Sequence, residues 1–198
     1  MKNSNNFTFS KNKSSNQVRI IGGELRGQKI IFSDTIGLRP TGSRIKETLF
    51  NWISQDVKNS NCLDLFAGSG SLGIESASRG AKNITMIEKD HSAYIALKKS
   101  CSRLNLKSTT IIKADAITWL NENNIKEPFD IIFLDPPFMS NLIPMCCEIL
   151  ERGGLLSKPS YIYIETTRHQ TTATVPKNWV LLRDNLAGQV AYKLYLRN

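Results

Sequence analysis

No apolar run in this 198-residue chain approaches the roughly 20 residues that cross a bilayer, so no membrane-spanning helix is expected. Residues 1–17 lack the apolar core of a secretory signal, and their lack of arginine argues against a transit peptide. Cysteine is sparse and poorly spaced for ligation: Cys62, Cys101, Cys146 and Cys147 contain no C-x-x-C pair. Adjacent Cys146 and Cys147 do not suit a disulfide framework either, so reduced thiols, no metal site and a cytoplasmic location are expected.

Acidic residues are also short, 17 against 26 Lys and Arg, and the resulting charge of +9 is unevenly placed. Residues 1–46 hold nine Lys or Arg against Glu24 and Asp34, a net +7 that leaves +2 for the remaining 152 residues. A basic arm on a near-neutral body predicts a polyanionic partner, with nucleic acid ahead of membrane because no amphipathic basic helix accompanies the arm. Arg19, Arg26, Lys29, Arg39, Arg44 and Lys46 are the candidate nucleic-acid contacts.

What is present reads as one domain with a small appendage. Residues 1–17 are rich in Asn, Ser and Lys and predict a disordered basic tail. Val18–Ile21 and Gln28–Phe32 are short β-runs separated by glycine turns, hence a small ribbon. Ser43 is positioned to cap a helix with Ile45, Leu49, Trp52, Ile53 and Val57 on one face. After Asn61, apolar runs at 62–66, 84–88, 109–113 and 129–134 alternate with helical stretches near 71–79, 90–104 and 116–124. A helix near 141–151 and a strand at 161–165 follow. The alternation predicts an α/β fold with a parallel sheet covered on both faces. Runs at 179–183 and 189–195, separated by a short turn with Gly188, predict an antiparallel hairpin at the sheet edge.

Two motifs carry chemistry. Gly68-Ser-Gly70-Ser-Leu-Gly73 follows the first strand as G-x-G-x-x-G, and Glu88 ends the next strand 20 residues beyond Gly68. Glycine lets backbone approach a ligand and the acid can grip ribose hydroxyls, so the spacing alone also fits a dinucleotide. Asp64 and Asp115 shift the balance, because carboxylates suit the cationic sulfur and amino group of S-adenosylmethionine better than a pyrophosphate. Asp64, Phe66, Gly68, Gly70, Glu88, Asp115 and Ala116 are the candidate cofactor residues. For Asp115 two readings stand, an acceptor for the adenine amino group or an N-cap for the helix at 116–124.

Asp135-Pro136-Pro137-Phe138 follows the fourth strand. The Asp135 carboxylate and the Pro136 carbonyl can accept both protons of an exocyclic NH2, and Phe138 can stack on the base that carries it. Such hydrogen bonds orient a nitrogen whose lone pair is delocalised and stabilise the charge that develops during alkylation. Asp135, Pro136 and Phe138 are the candidate catalytic residues.

These motifs, with Arg19-Ile-Ile-Gly-Gly23, Arg26-Gly27, Gly37-Leu-Arg-Pro-Thr41, Arg44, Glu47-Thr-Leu-Phe-Asn-Trp52 and Ala187-Gly-Gln-Val190, resemble the RsmD family of bacterial small-subunit rRNA methyltransferases over about residues 18–197. The resemblance implies a Rossmann-like, seven-stranded, S-adenosylmethionine-dependent methyltransferase sheet that modifies guanine N2 in 16S rRNA within an assembling 30S particle; a monomer is expected. The chain is expected to divide into a disordered basic tail (1–17), an RNA-binding ribbon and helix (18–58) and a methyltransferase domain (59–198). Ser43 stands where the family commonly has Asp. Other readings are methylation of adenine N6 or a protein glutamine, a non-catalytic RNA-binding assembly factor, and a nicotinamide oxidoreductase.

Overall fold

Strand–helix alternation from Asn61 onward builds a seven-stranded mixed sheet. The structure, a computed structural model, describes residues 16–32, 41–122, 127–137, 142–169 and 174–198. The strands are β3 (Asn61–Asp64), β4 (Asn83–Glu88), β5 (Thr109–Lys113), β6 (Phe129–Leu134), β7 (Leu156–Thr167), β8 (Trp179–Ala187) and β9 (Val190–Arg197). β3 to β7 run parallel, β9 is antiparallel to β7, and β8 is antiparallel to β9. This is the expected Rossmann-like sheet with a C-terminal antiparallel hairpin. Ala187 pairs with Val190 across a tight turn in which Gly188 has φ 60, a conformation glycine adopts without steric cost.

Helices cover both faces, as parallel strands require. α1 (Ser43–Trp52), α2 (Ser71–Ser78) and α3 (His91–Arg103) share one core with Phe133 and Tyr163, whereas α4 (Ala116–Glu122) and α5 (Leu142–Arg152) pack over Leu63, Ile132 and Ile164. An antiparallel ribbon of β1 (Gln17–Arg19) and β2 (Lys29–Ile31) precedes α1. Its Ile20 and Ile30 are fully buried in the α1–α3 core, which seats the ribbon on that face.

Several boundaries differ from expectation. Gln17 pairs with Ile31, so the ribbon begins one residue inside the expected tail. α1 stops at Trp52 because Ile53 leaves helical geometry (φ −107, ψ 20) and the polar stretch after it forms turns, although Ile53 and Val57 remain buried. Ser43 is not the cap: Gly42 occupies that position with no side-chain cap bond, and Lys46 N–H donates to the Gly42 carbonyl. β7 extends well beyond the expected 161–165, because Leu156 pairs with β6 and Ser160–Thr167 all find partners in β9. Most of the expected tail, and Gly37–Pro40, lie outside the described residues.

Candidate active site

Chain order reverses between β3 and β6: from β3 the sheet grows through β4 and β5 on one side, and from β6 through β7 on the other. Open α/β sheets leave a crevice at the carboxyl ends of the strands that flank such a switch point. Asp64 is the last residue of β3 and Asp135 follows the last residue of β6, so both candidate carboxylates sit at that crevice.

The glycine loop is built by close approach. Gly70 has φ 78 and caps α2, and a Cβ there would lie 2.3 Å from Leu97 Cδ1. A Cβ at Gly73 would lie 2.6 Å from Met86 Sδ, so only glycine lets α2 sit this close to β4. The same closeness lets Gly73 N–H donate to Asp64 Oδ2 at 3.0 Å. Asp64 is buried, and burial pushes its pKa up to about 7; repulsion from Asp135 and Glu88 adds to this and the Gly73 N–H opposes it.

Glu88 accepts Gly68 N–H at 2.7 Å and Asp90 N–H at 2.6 Å, one on each oxygen. Burial raises its pKa against those backbone bonds. Both oxygens keep lone pairs for further donors. Asp115 does cap α4, accepting from Ile117 and Thr118 N–H at 3.1 and 3.3 Å. Its other oxygen pairs with Lys89 at 3.0 Å, and that bond holds its pKa below the usual range. Ala116 is buried at the start of α4, and Phe66 is half-buried in the loop after β3.

These residues fit S-adenosylmethionine. The close approach at Gly70 and Gly73 brings backbone to the crevice, Asp64 supplies negative charge for a sulfonium and amino group, and Glu88 has acceptor capacity for ribose hydroxyls.

At the β6–β7 end lies a second acidic cluster. Asp135 is half-buried and its Oδ2 accepts from the Thr41 hydroxyl at 3.4 Å. Glu165 is 3% exposed and its Oε1 accepts from Tyr163 Oη at 2.9 Å. Burial, then repulsion from Glu165, raises the Asp135 pKa well above its ordinary value. Burial also raises Glu165, to about 7, while the Tyr163 and Thr41 hydroxyls oppose the shift. Shifted acids gathered in a crevice are a functional signature. Pro136 is buried beside Asp135, and Phe138 lies outside the described residues.

The basic candidates separate. Arg19 and Arg26 line one concavity of about 540 Å3 with Ser43, Glu47, Asn51 and Arg79. Lys29 and Arg44 are exposed on β2 and on the first turn of α1, where a cation opposes the helix dipole. Arg39 lies outside the described residues. Lys46 is a correction: it is fully buried and cannot meet a polyanion. Its Nζ donates to Glu75 Oε2 at 3.2 Å and to the Arg19 carbonyl at 2.8 Å. Burial lowers its pKa and Glu75 counters the shift.

Glu75 was not legible as a site residue. Its fully buried carboxylate also accepts Ile21 and Gly22 N–H at 3.0 and 2.8 Å and Arg79 Nε at 3.0 Å. It therefore clamps the ribbon to α2. Thr41, Tyr163 and Glu165 were missed too, although an acid ending the apolar run Tyr161-Ile-Tyr-Ile164 was a usable signal.

The family described as conserved hypothetical protein 95 matches residues 18–196. The chain is 42% identical to "Ribosomal RNA small subunit methyltransferase D" of Buchnera aphidicola, covering 97% of this chain and 98% of the relative. Against the Escherichia coli K12 protein of that name, identity is again 42%, covering 92% and 91%. Among solved structures, the putative methyltransferase yhhF from Escherichia coli superposes with a TM-score of 0.84 at 39% identity, covering 92% of this chain and 99% of that one. The putative methylase HI0767 from Haemophilus influenzae gives a TM-score of 0.78 at 38% identity, with the same coverage. With the glycine loop, the switch-point acids and the seven-stranded sheet already in place, these matches establish that the chain is a methyltransferase and belongs to the RsmD family.

Proposed function

We propose that this enzyme methylates the exocyclic N2 of a guanine in small-subunit ribosomal RNA, using S-adenosylmethionine, on an assembling 30S particle. The observation that carries the reading is Asp135 at the carboxyl end of β6, across the switch point from Asp64 and the glycine loop. The relatives named for small-subunit ribosomal RNA support the polymer, and the exposed cations Arg19, Arg26, Lys29 and Arg44 support a nucleic acid over a protein acceptor.

S-adenosylmethionine, when bound, supplies a methyl group on a positively charged sulfur. Asp64 and the backbone of Gly68 and Gly70 hold its charged end, Glu88 takes ribose hydroxyls, and Phe66, Asp115 and Ala116 border the adenine. Asp135 and the Pro136 carbonyl each accept one N–H of the target amine, which aims the nitrogen and offsets the charge it develops. Phe138 stacks on the extruded base, a contact worth ~1–3 kcal/mol for nucleic-acid bases generally. Arg19, Arg26, Lys29, Arg39 and Arg44 neutralise phosphates along the approach. The enzyme acts as a monomer in the cytoplasm, where ribosomes assemble.

Methyl transfer from radiolabelled S-adenosylmethionine to 30S particles lacking the modification tests this, with free 16S rRNA, DNA and protein extract in parallel. Label recovered as N2-methylguanosine is the expected result. Label in N6-methyladenosine or methylglutamine would replace the acceptor, and cofactor binding without transfer would leave an RNA-binding assembly factor.

A further inference from the structure

Arg79, the C-cap residue of α2, has its guanidinium fixed on three sides. Its Nε donates to the fully buried Glu75 at 3.0 Å from Oε1. Its Cζ lies 4.8 Å from the centroid of the Phe50 ring, a cation–π contact with a second fully buried residue. On the ribbon side it lies against Gly22, where a Cβ would fall 2.3 Å from Arg79 Nη2 and 2.5 Å from Cζ. Because Glu75 and Phe50 hold that head in place, only glycine at position 22 leaves room for it.

The bond to Glu75 uses one of the five N–H donors of the guanidinium. Among the described residues no acceptor bonds Nη1 or Nη2, and the side chain keeps 19% of its surface exposed. Arg79 lines the concavity of about 540 Å3 together with Arg19 and Arg26, three arginines against one acid, Glu47. Arg19 is tied down as well, its Nη1 donating to the Gly27 carbonyl at 3.3 Å. The other polar side chains of the lining, Ser43 and Asn51, are neutral.

Ser43, Glu47 and Asn51 recur every four residues along α1, so they share one face over about 12 Å. Ser43 stands two residues after Thr41, whose hydroxyl bonds Asp135 Oδ2 at 3.4 Å. The concavity therefore follows α1 from Asn51 toward the β6 end of the crevice.

We propose that this concavity is a phosphodiester subsite in which Arg79 presents its Nη groups as a fork to one phosphate of the RNA, with Gly22 the residue that positions it. A planar guanidinium matches two phosphate oxygens at once, and a fork already held by Glu75 and Phe50 loses little rotamer freedom on binding. The inference rests on the reading of the substrate as RNA. It adds to that reading an arginine from outside the basic arm of residues 1–46.

The test uses two variants that conserve net charge in the full chain. Arg79→Lys keeps a cation beside Glu75 but loses the fork, and Gly22→Ala keeps Arg79 but displaces its head. Filter binding to one RNA across a salt series compares both with Arg26→Ala and wild type. Each should bind about tenfold more weakly and flatten the slope of log affinity against log salt by about 1, although no charge has been removed. A wild-type slope in Arg79→Lys overturns the proposal, whatever Gly22→Ala does. If Arg26→Ala flattens the slope in that same series, the RNA reading stands and the Arg79 subsite alone falls.

Inorganic phosphate is the second probe and needs no RNA. Excluded phosphate stabilises any fold, so the variants supply the baseline. In thermal unfolding over a phosphate series, wild type should gain more than Arg79→Lys or Gly22→Ala. Should wild type bind no RNA at all, the RNA reading fails and this series decides the anion site by itself. Equal gains in all three proteins would overturn it.

Discussion

Lys46 Nζ lies 3.2 Å from Glu75 Oε2 with both side chains fully buried, and that contact fastens the ribbon to the catalytic sheet. The same Nζ reaches the Arg19 carbonyl, and the same carboxylate takes the N–H groups of Ile21 and Gly22. A buried carboxylate saturated by four donors is stable only while all of them stay. Removing Lys46 as Lys46→Met, or Glu75 as Glu75→Gln, should therefore cost about 3–5 kcal/mol in urea unfolding. The exposed pair Lys89–Asp115 gives the contrast, since Lys89→Ala should change stability by less than about 1 kcal/mol. Comparable losses in the buried and exposed variants would mean the clamp is not what anchors the ribbon.

Asp135→Asn retains the shape of the side chain and its place beside Thr41, but it cannot take both the N–H bond and the developing charge. Methyl transfer should fall by about 10²-fold or more while cofactor affinity stays within a few fold. Turnover near wild type would remove Asp135 from the reaction.

The pKa of Asp64, raised to about 7 by burial, makes cofactor binding depend on pH in a stated direction. A carboxyl raised in the fold favours the folded protein while protonated, so its stabilisation is lost as pH climbs from about 4 through about 7. A cationic ligand needs the ionised form. Affinity measured by calorimetry should therefore rise from about pH 6 to about pH 8 and then level off. Asp64→Asn should bind weakly at every pH. If that variant followed the wild-type curve, the dependence would belong to another group.

The parallel sheet, its edge hairpin and both chemical motifs were readable because each has a local cause. Buried strands read as apolar runs, a two-residue turn needs Gly188, and the approach of α2 to β4 needs Gly73. Two readings failed and one residue was passed over, because tertiary packing decided all three. Lys46 looks like one more cation of the basic arm until Glu75, 29 residues on, appears beside it. Ser43 has the chemistry of a cap, yet the helix starts one residue early on Gly42. Glu165 ends an ordinary apolar strand, and only the β6–β7 register sets it level with Asp135. Sequence spacing carries no information about which residues of neighbouring strands are level.

The split among the cations leads to the last prediction. Arg19 and Arg26 face a common concavity from the ribbon, whereas Lys46 points into the core. Counterion release makes the slope of log affinity against log salt a count of neutralised phosphates, and each phosphate contact contributes about 0.9. Arg19→Ala and Arg26→Ala should each lower the slope for RNA binding by about 1, and the double variant by about 2. Lys46→Met at a temperature where it remains folded should leave the slope unchanged. Filter binding over a salt series measures the four variants and the wild type on one RNA. A slope that drops for Lys46→Met while the arginine variants keep theirs would place the RNA surface elsewhere and return Lys46 to it.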